Sequence, residues 1–260
     1  TLKRRGAGGF KEVDDVAIAA PLTKYSASIT DGERINEFVD RAYKIAVIGY
    51  PGAVHLSLPV DIMFSSFPED AGRHERPFDM TPLAPSKAWP EPARLQMVLD
   101  KLSAASRPVL IGGHGVWWSG SEAFLEEAGR KLGIPVFNIP YHQKLLGEEC
   151  EAYMGLADVH QYHPSADAFN EADLILMVGG RLDNQMNFGN APLFPTSTEL
   201  VCINGSHEEI DFNRAADFTL LSDPGAFLQA VIAHGDHPAF ILTRDWYDLN
   251  RQRRADWVKK

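Results

Sequence analysis

Strand-like and helix-like spacings of apolar side chains alternate over residues 92–235. Apolar runs of strand length are separated by segments whose apolar residues recur every three or four positions. Short links between such strands and helices are typical of a parallel sheet covered by helices on both faces. The pattern therefore predicts an α/β fold, a doubly wound and Rossmann-like parallel sheet, with strands near Val109, Val136, Ile175 and Val201.

The segments between these strands complete the pattern. We predict helices at residues 92–105, 122–133, 165–172 and 223–235, and a loop at 141–163. The last residues, LTRDWYDLNRQRRADWVKK, predict a basic amphipathic helix.

The chain before residue 92 has a different character. Residues 34–48 have helical spacing, and Val54, Leu56 and Leu58 alternate like a strand before Pro59, which is too little to close a sheet of their own. A stretch rich in proline and without periodicity follows. We therefore predict four parts, which are the end of a preceding α/β domain (1–63), an extended linker (64–90), the sheet domain (91–235) and a lead-in to a further domain (236–260).

Composition narrows the class of protein. The formal net charge of −10 argues against nucleic acid or an anionic membrane surface as the main partner. Cys150 and Cys202 are too few for a disulfide framework or a zinc site, and no signal-peptide pattern is present, so we expect a cytoplasmic protein. His160 and His163 lack the spacing of a metal site, so no metal ligand is predicted.

A glycine-rich loop follows the strand near Val109. Gly113, His114 and Gly115 allow close approach of the backbone to a ligand, and Ser119 or Ser121 can cap the helix at residues 122–133. These features suggest a cradle for a nucleotide phosphate at a helix N-terminus. The loop lacks the third glycine of a dinucleotide fingerprint, and a plain strand-to-helix turn explains the same glycines equally well.

Two more strand ends carry polar residues. Arg181 follows Gly179 and Gly180, and its guanidinium can hold a diphosphate or can pair with Asp183 at the surface. Asn204 can bind a ribose or adenine, or it can cap the turn that follows. Ligands of doubly wound sheets bind at the carboxyl ends of the strands, so these residues are candidates for one pocket.

Six separated segments resemble, in order, the thiamine diphosphate-dependent enzymes of the acetohydroxyacid synthase superfamily. They are GGFKEVDDVAIAAPLTKYS, AVIGYPGAVHLSLPVDI, RPVLIGGHG, LGIPVF, ADLILMVGGRLD and the DFTLLSD segment with its following helix. The resemblance implies the end of a pyrimidine-binding domain, a whole central domain and a lead-in to a diphosphate-binding domain. The family's cofactor-activating glutamate and its G-D-G motif are not among the residues of this chain, which implies that the chain alone is inactive.

The resemblance also implies roles for residues that are present. GGFKE resembles the family's G-x-F-Q-E segment, which assigns Phe10, Lys11 and Glu12 to the edge of the catalytic pocket, although Lys11 departs from the usual residue. The central-domain pocket, which holds FAD in some members and ADP or CoA in others, carries over to the five residues Gly113, His114, Gly115, Arg181 and Asn204.

The resemblance implies an activity for the complete enzyme. We expect a lyase, carboligase or decarboxylase that acts on 2-hydroxyacyl-CoA or 2-oxo acids, uses thiamine diphosphate with Mg²⁺ and forms a homodimer or homotetramer. The segment after Arg181 favours the acyl-CoA branch and hence ADP or CoA, whereas Tyr50 departs from that branch's G-R-P-G. An acetohydroxyacid synthase-type transferase with structural FAD and a non-catalytic nucleotide-binding module remain the alternatives.

Overall fold

The computed structural model describes residues 2–10, 12–67, 87–140, 145–234 and 244–259. The chain divides into two compact units, Thr1–Ser86 and Lys87–Lys260. Among the described helices, none combines the length and the apolar character that crossing a membrane requires.

The first unit is a small α/β arrangement. Its elements are α1 (Asp15–Ala19), β1 (Tyr25–Ser28), α2 (Ile35–Val47), β2 (Val54–Ser57) and α3 (Val60–Met63). The strands β1 and β2 pair in parallel, with Ser26 opposite His55. The predicted helix at 34–48 is present as α2, and the strand predicted before Pro59 is present as β2, whereas residues 60–63 form α3 and β1 escaped prediction.

The second unit contains a parallel sheet with helices along it. Its strands are β3 (Pro108–Gly112), β4 (Val136–Asn138), β5 (Tyr153–Leu156), β6 (Leu174–Val178), β7 (Glu199–Asn204) and β8 (Phe218–Leu221). Its helices are α4 (Pro92–Ala104), α5 (His114–Trp118), α6 (Glu122–Leu132), α7 (His163–Glu171), α8 (Pro224–Ile232) and α9 (Arg244–Val258).

The direction in which successive strands are added to the sheet reverses next to β3. The six strands lie in the order β5-β4-β3-β6-β7-β8, and every pair is parallel. The chain builds outward from β3 to one edge and then returns beside β3 to build the other half. Crevices at such a reversal are the usual ligand sites of doubly wound sheets. The predicted fold is confirmed.

The core lies around the central strands. All five residues of β3 and all five of β6 are buried, as expected for parallel strands covered on both faces. Phe137, Phe169 and Phe194 pack edge to face or tilted beside them, with ring centroids 5.1 and 5.3 Å apart in successive pairs. This packing fixes the strand ends that carry the candidate site.

Three predictions about local structure were wrong. The loop predicted at 141–163 contains β5, because the short apolar segment at 152–156 pairs with β4. The glycine-rich loop expected between β3 and the helix at 122–133 contains a further short helix, α5, so α6 is the second helix after the strand. Ser121 precedes α6, but its hydroxyl donates to the carbonyl of Val116 at 3.0 Å instead of capping the helix.

The last helix, α9, packs on the second unit. Arg254 donates to the carbonyl oxygens of Cys150 and Tyr153, and its guanidinium carbon lies 5.1 Å from the Tyr153 ring centroid. These contacts satisfy carbonyl groups beside β5 and attach the predicted basic helix to the sheet domain.

Candidate functional site at the strand ends

Two glycine pairs meet where β3 and β6 end. A Cβ atom on Gly113 would lie 2.4 Å from the Cα of Gly180 and 2.5 Å from the carbonyl oxygen of Gly179. A Cβ atom on Gly115 would lie 2.8 Å from the Cα of Gly179, whose φ of +65° is itself a conformation that favours glycine. The backbones of the two strand ends therefore touch without intervening side chains.

Backbone hydrogen bonds hold this contact together. The amide of Gly113 donates to the carbonyl of Val178 at 2.9 Å, and the amide of Gly115 donates to that of Gly179 at 2.8 Å. Both amides are thus engaged within the chain, which agrees with the strand-to-helix turn as the reason for these glycines. A phosphate bound here would need its principal donors from other groups.

Arg181 follows Gly180 in the chain and pairs with Glu209. The NH1 group of Arg181 lies 3.4 Å from Oε1 of Glu209, and its guanidinium carbon lies 4.7 Å from the centroid of Phe212. The alternative in which Arg181 pairs with Asp183 was wrong, because its carboxylate partner is Glu209, while Asp183 accepts the amide of Gln185 at 3.1 Å.

Exposure differs between the two partners of this pair. The Arg181 side chain is 41% exposed, whereas that of Glu209 is 10% exposed. Burial raises the pKa of the Glu209 carboxyl, while the neighbouring Arg181 charge lowers it.

Asn204 ties the end of β7 to the same glycines. Its Nδ2 donates to the carbonyl of Gly180 at 3.4 Å, and its Oδ1 accepts the amide of Ser206 at 3.3 Å. Ser206, not Asn204, precedes the helical turn His207–Glu209 and accepts the amide of Glu208. Asn204 is buried. Its side chain links the end of β7 to Gly180, and it also holds Ser206 in place before that turn.

His114 begins α5 directly after the glycine contact and is half-buried. The structure thus gathers Gly113, Gly115, Arg181 and Asn204 around Gly179 and Gly180. Whether this group binds a ligand stays a prediction.

The residues assigned to the catalytic pocket edge lie in the first unit. Phe10 is 94% exposed, and Lys11 lies outside the described residues. The Glu12 carboxylate accepts the amide of Gly6, and it also accepts the amide of Gly9 at 2.9 Å. These backbone bonds, that of Gly6 foremost, lower the pKa of Glu12 and keep it ionised. Their catalytic role stays a prediction.

The histidines near residue 160 have structural partners. The ring Nε2 of His160 lies 3.0 Å from the carbonyl of Asn184, and the ring of His163 lies 5.2 Å from that of Trp257. Over the described parts of the chain, no group of three or more His, Cys, Asp or Glu residues is placed to hold a metal ion.

Sequence reasoning missed Glu209 and Phe212. The segment SHEEIDFN was interpreted only as a helical turn, and the turn is present at His207–Glu209. Its position directly after the third strand end was the available signal, because such a turn lies over the same edge of the sheet as Arg181.

Comparison with known proteins places these features in a wider group. The family model described as thiamine pyrophosphate enzyme, central domain, matches residues 95–231, which is more than half of the chain. An acetolactate synthase large subunit of Lactococcus lactis subsp. lactis is 30% identical over 255 residues, which cover 98% of this chain and 41% of that protein. A 2-hydroxyacyl-CoA lyase of Arabidopsis thaliana is 26% identical over 217 residues, which cover 80% of this chain and 36% of the lyase.

Solved structures share the fold. A putative thiamin diphosphate-dependent enzyme from Mycobacterium smegmatis superposes with a TM-score of 0.72 at 21% identity, over 90% of this chain and 43% of that chain. A benzoylformate decarboxylase from Polynucleobacter necessarius gives a TM-score of 0.70 at 18% identity, over 90% and 42% of the two chains. The chain therefore spans about two fifths of the length of these proteins.

Proposed function

This chain belongs to the thiamine pyrophosphate enzymes and carries their central domain, and from this we propose that it is part of an enzyme that makes or breaks carbon–carbon bonds in 2-oxo acids or 2-hydroxyacyl-CoA. Its similarity to both an acetolactate synthase and a 2-hydroxyacyl-CoA lyase supports this range of substrates. Thiamine diphosphate, with Mg²⁺, would supply the carbanion chemistry of such an enzyme.

The described residues do not fit the metal part of that cofactor, since no three or more of their His, Cys, Asp or Glu side chains are grouped to hold a metal ion. We therefore propose that the diphosphate and Mg²⁺ bind elsewhere in an assembled, at least dimeric, enzyme. Phe10, Lys11 and Glu12 are proposed to border the substrate there. The ionised Glu12 would provide an acceptor, and the exposed Phe10 ring would provide an apolar contact.

For the second unit we propose an adenine-nucleotide pocket at the strand ends. The observation that carries this proposal is the position of Arg181, half-exposed beside the glycine contact at the point where strand order reverses. Arg181 would bind a phosphate oxygen, and Asn204 and His114 would orient the nucleoside. The close contact of the glycines would fix the strand ends from which Arg181 and Asn204 reach the ligand.

The bound nucleotide would be ADP, the ADP portion of CoA, or that of FAD. These ligands share adenosine and a diphosphate, and they differ in colour because a flavin absorbs visible light. We expect a colourless preparation, in line with the resemblance of the segment after Arg181 to the acyl-CoA branch. A yellow preparation would assign FAD and the acetohydroxyacid synthase-type alternative.

The test is to identify and titrate the nucleotide. The protein would be denatured, any released nucleotide identified by mass spectrometry, and the nucleotide-free protein titrated with ADP, CoA and FAD by calorimetry. Saturable binding of one of them by the wild type, weakened in Arg181→Ala, supports the pocket. Absence of released nucleotide together with absence of binding would overturn it.

A further inference from the structure

The Arg181–Glu209 pair is asymmetric. Glu209 is the more buried partner, and the guanidinium of Arg181, which is partly open to solvent, lies near both the Glu209 carboxylate and the Phe212 ring. A ligand that reaches Arg181 therefore meets a guanidinium whose positive charge is already offset by a carboxylate 3.4 Å away.

Two charged groups act on the Glu209 carboxyl from the elements around it in the described structure. Arg181 stabilises its ionised form, and the adjacent Glu208, which is exposed, disfavours it. Burial is the largest influence on this carboxyl, and together with the smaller effect of Glu208 it raises the pKa of Glu209 against the opposing effect of Arg181.

A carboxylate at this position has opposite effects on the two parts of a nucleotide. It repels phosphate groups that approach Arg181, since like charges in a partly buried site are weakly screened. It can also accept hydrogen bonds from ribose hydroxyls, which is the role that acidic residues play at strand ends of many nucleotide-binding sheets.

We propose that Glu209 is a specificity-determining residue of the strand-end pocket. Its carboxylate weakens the binding of the ligand's phosphate groups and leaves the binding of the nucleoside nearly unchanged. The inference rests on the nucleotide pocket proposed above and deepens it. In this proposal Glu209 repels ligands that carry additional phosphate charge, so specificity arises from a repulsive contact.

The experiment compares adenosine and ADP as probes. Calorimetry on the 260-residue chain would measure both affinities for the wild type, Glu209→Gln and Glu208→Gln. Glutamine keeps the shape of the side chain and removes its charge. We expect Glu209→Gln to bind ADP about ten-fold more tightly while its adenosine affinity changes less than about two-fold.

Glu208→Gln is the matched control, since it removes the same charge one residue away from an exposed side chain. Both of its affinities should stay within about two-fold of the wild type. Equal effects of the two substitutions on ADP would overturn the inference, because the effect would then be one of net charge alone.

A second measurement uses pH. As the pH falls through the raised pKa of Glu209, the wild-type carboxyl becomes neutral like the glutamine, so the ADP affinities of wild type and Glu209→Gln should converge. The titration of ADP itself is common to both proteins. A difference that persists at low pH would overturn the inference.

If Glu209→Gln does not fold, the wild type alone gives the answer with adenosine 5′-sulfate, whose sulfate ester keeps its charge while a carboxyl titrates. Its affinity should rise as Glu209 becomes protonated, whereas that of adenosine should not. Binding of ADP that depends on Arg181 but not on Glu209 overturns this inference alone. If neither adenosine nor ADP binds to the wild type or to any variant, the proposed pocket is overturned as well.

Discussion

The indole Nε1 of Trp246 donates a 3.0 Å hydrogen bond to the carbonyl oxygen of Pro108. This bond joins α9 to the first residue of β3, 138 positions earlier in the chain. Trp246 is 5% exposed, so both the ring and its donor are removed from water. The helix at the end of the chain is therefore part of the core of the second unit.

Substitution of Trp246 should lower the free energy of unfolding. Trp246→Phe removes mainly the hydrogen bond and should cost about 1 kcal/mol, with more if the Pro108 carbonyl stays unsatisfied. Trp246→Ala also leaves a cavity and should cost about 3–5 kcal/mol. Urea unfolding of the 260-residue chain would measure both.

Trp118 provides the control, because it is 53% exposed at the end of α5. Trp118→Phe should change the free energy of unfolding by less than about 0.5 kcal/mol. Equal losses at Trp118 and Trp246 would contradict the assignment of α9 to the core.

A second prediction concerns the glycine contact. Gly113→Ala forces a methyl group to within 2.4 Å of the Gly180 Cα, and backbone atoms cannot move aside cheaply. We expect a loss of about 1–3 kcal/mol or more in the free energy of unfolding, measured by urea or thermal unfolding.

Gly205→Ala is the matched control at the neighbouring strand end. A Cβ atom there has its nearest neighbours at 3.9 Å, and the position does not require a positive φ. The free energy of unfolding should then stay the same or rise slightly, because alanine restricts the unfolded chain. A larger loss at Gly205 than at Gly113 would refute the close contact of the strand ends.

Continuous apolar runs made most strands of the sheet predictable from the sequence. The strands β3, β6 and β7 are apolar runs flanked by polar residues, and their burial on both faces is what such runs predict. By contrast, β5 is short and contains Gly155 at a φ of +119°, and its pairing with β4 is decided by tertiary packing. Local periodicity carries too little signal for such a strand.

The position of the candidate site was predictable from the sequence, but the pairing of Arg181 with Glu209 was not. Arg181 and Asn204 could be placed at one edge because carboxyl ends of parallel strands share it. The partner of Arg181 lies 28 residues further on, and Asp183 was the nearer carboxylate in sequence. The turn that holds Glu209 could be placed at the same edge from its position after a strand end, but local spacing does not indicate which carboxylate at that edge pairs with Arg181.

A third prediction concerns the binding of thiamine diphosphate and Mg²⁺. Calorimetry with thiamine diphosphate and Mg²⁺ on the 260-residue chain should show no specific binding heat, since no group of three or more His, Cys, Asp or Glu in the described residues is placed to hold a metal ion. The positive control is the same titration on the putative thiamin diphosphate-dependent enzyme from Mycobacterium smegmatis. Tight, saturable binding by this chain alone would refute the proposal that the cofactor site lies elsewhere.

The last prediction concerns the phosphate contact of Arg181. A charge-assisted hydrogen bond contributes about 1.5–3 kcal/mol, so Arg181→Ala should weaken the binding of ADP, CoA or FAD by roughly ten-fold to a hundred-fold. Removal of Arg181 also leaves the Glu209 carboxylate without its counter-charge, which raises its pKa further and adds repulsion wherever it stays ionised. Arg130→Ala, an exposed position on α6, serves as the control and should leave affinity unchanged. If Arg181→Ala binds these nucleotides as tightly as the wild type does, the strand ends are held together for packing alone and the glycine turn needs no ligand to explain it.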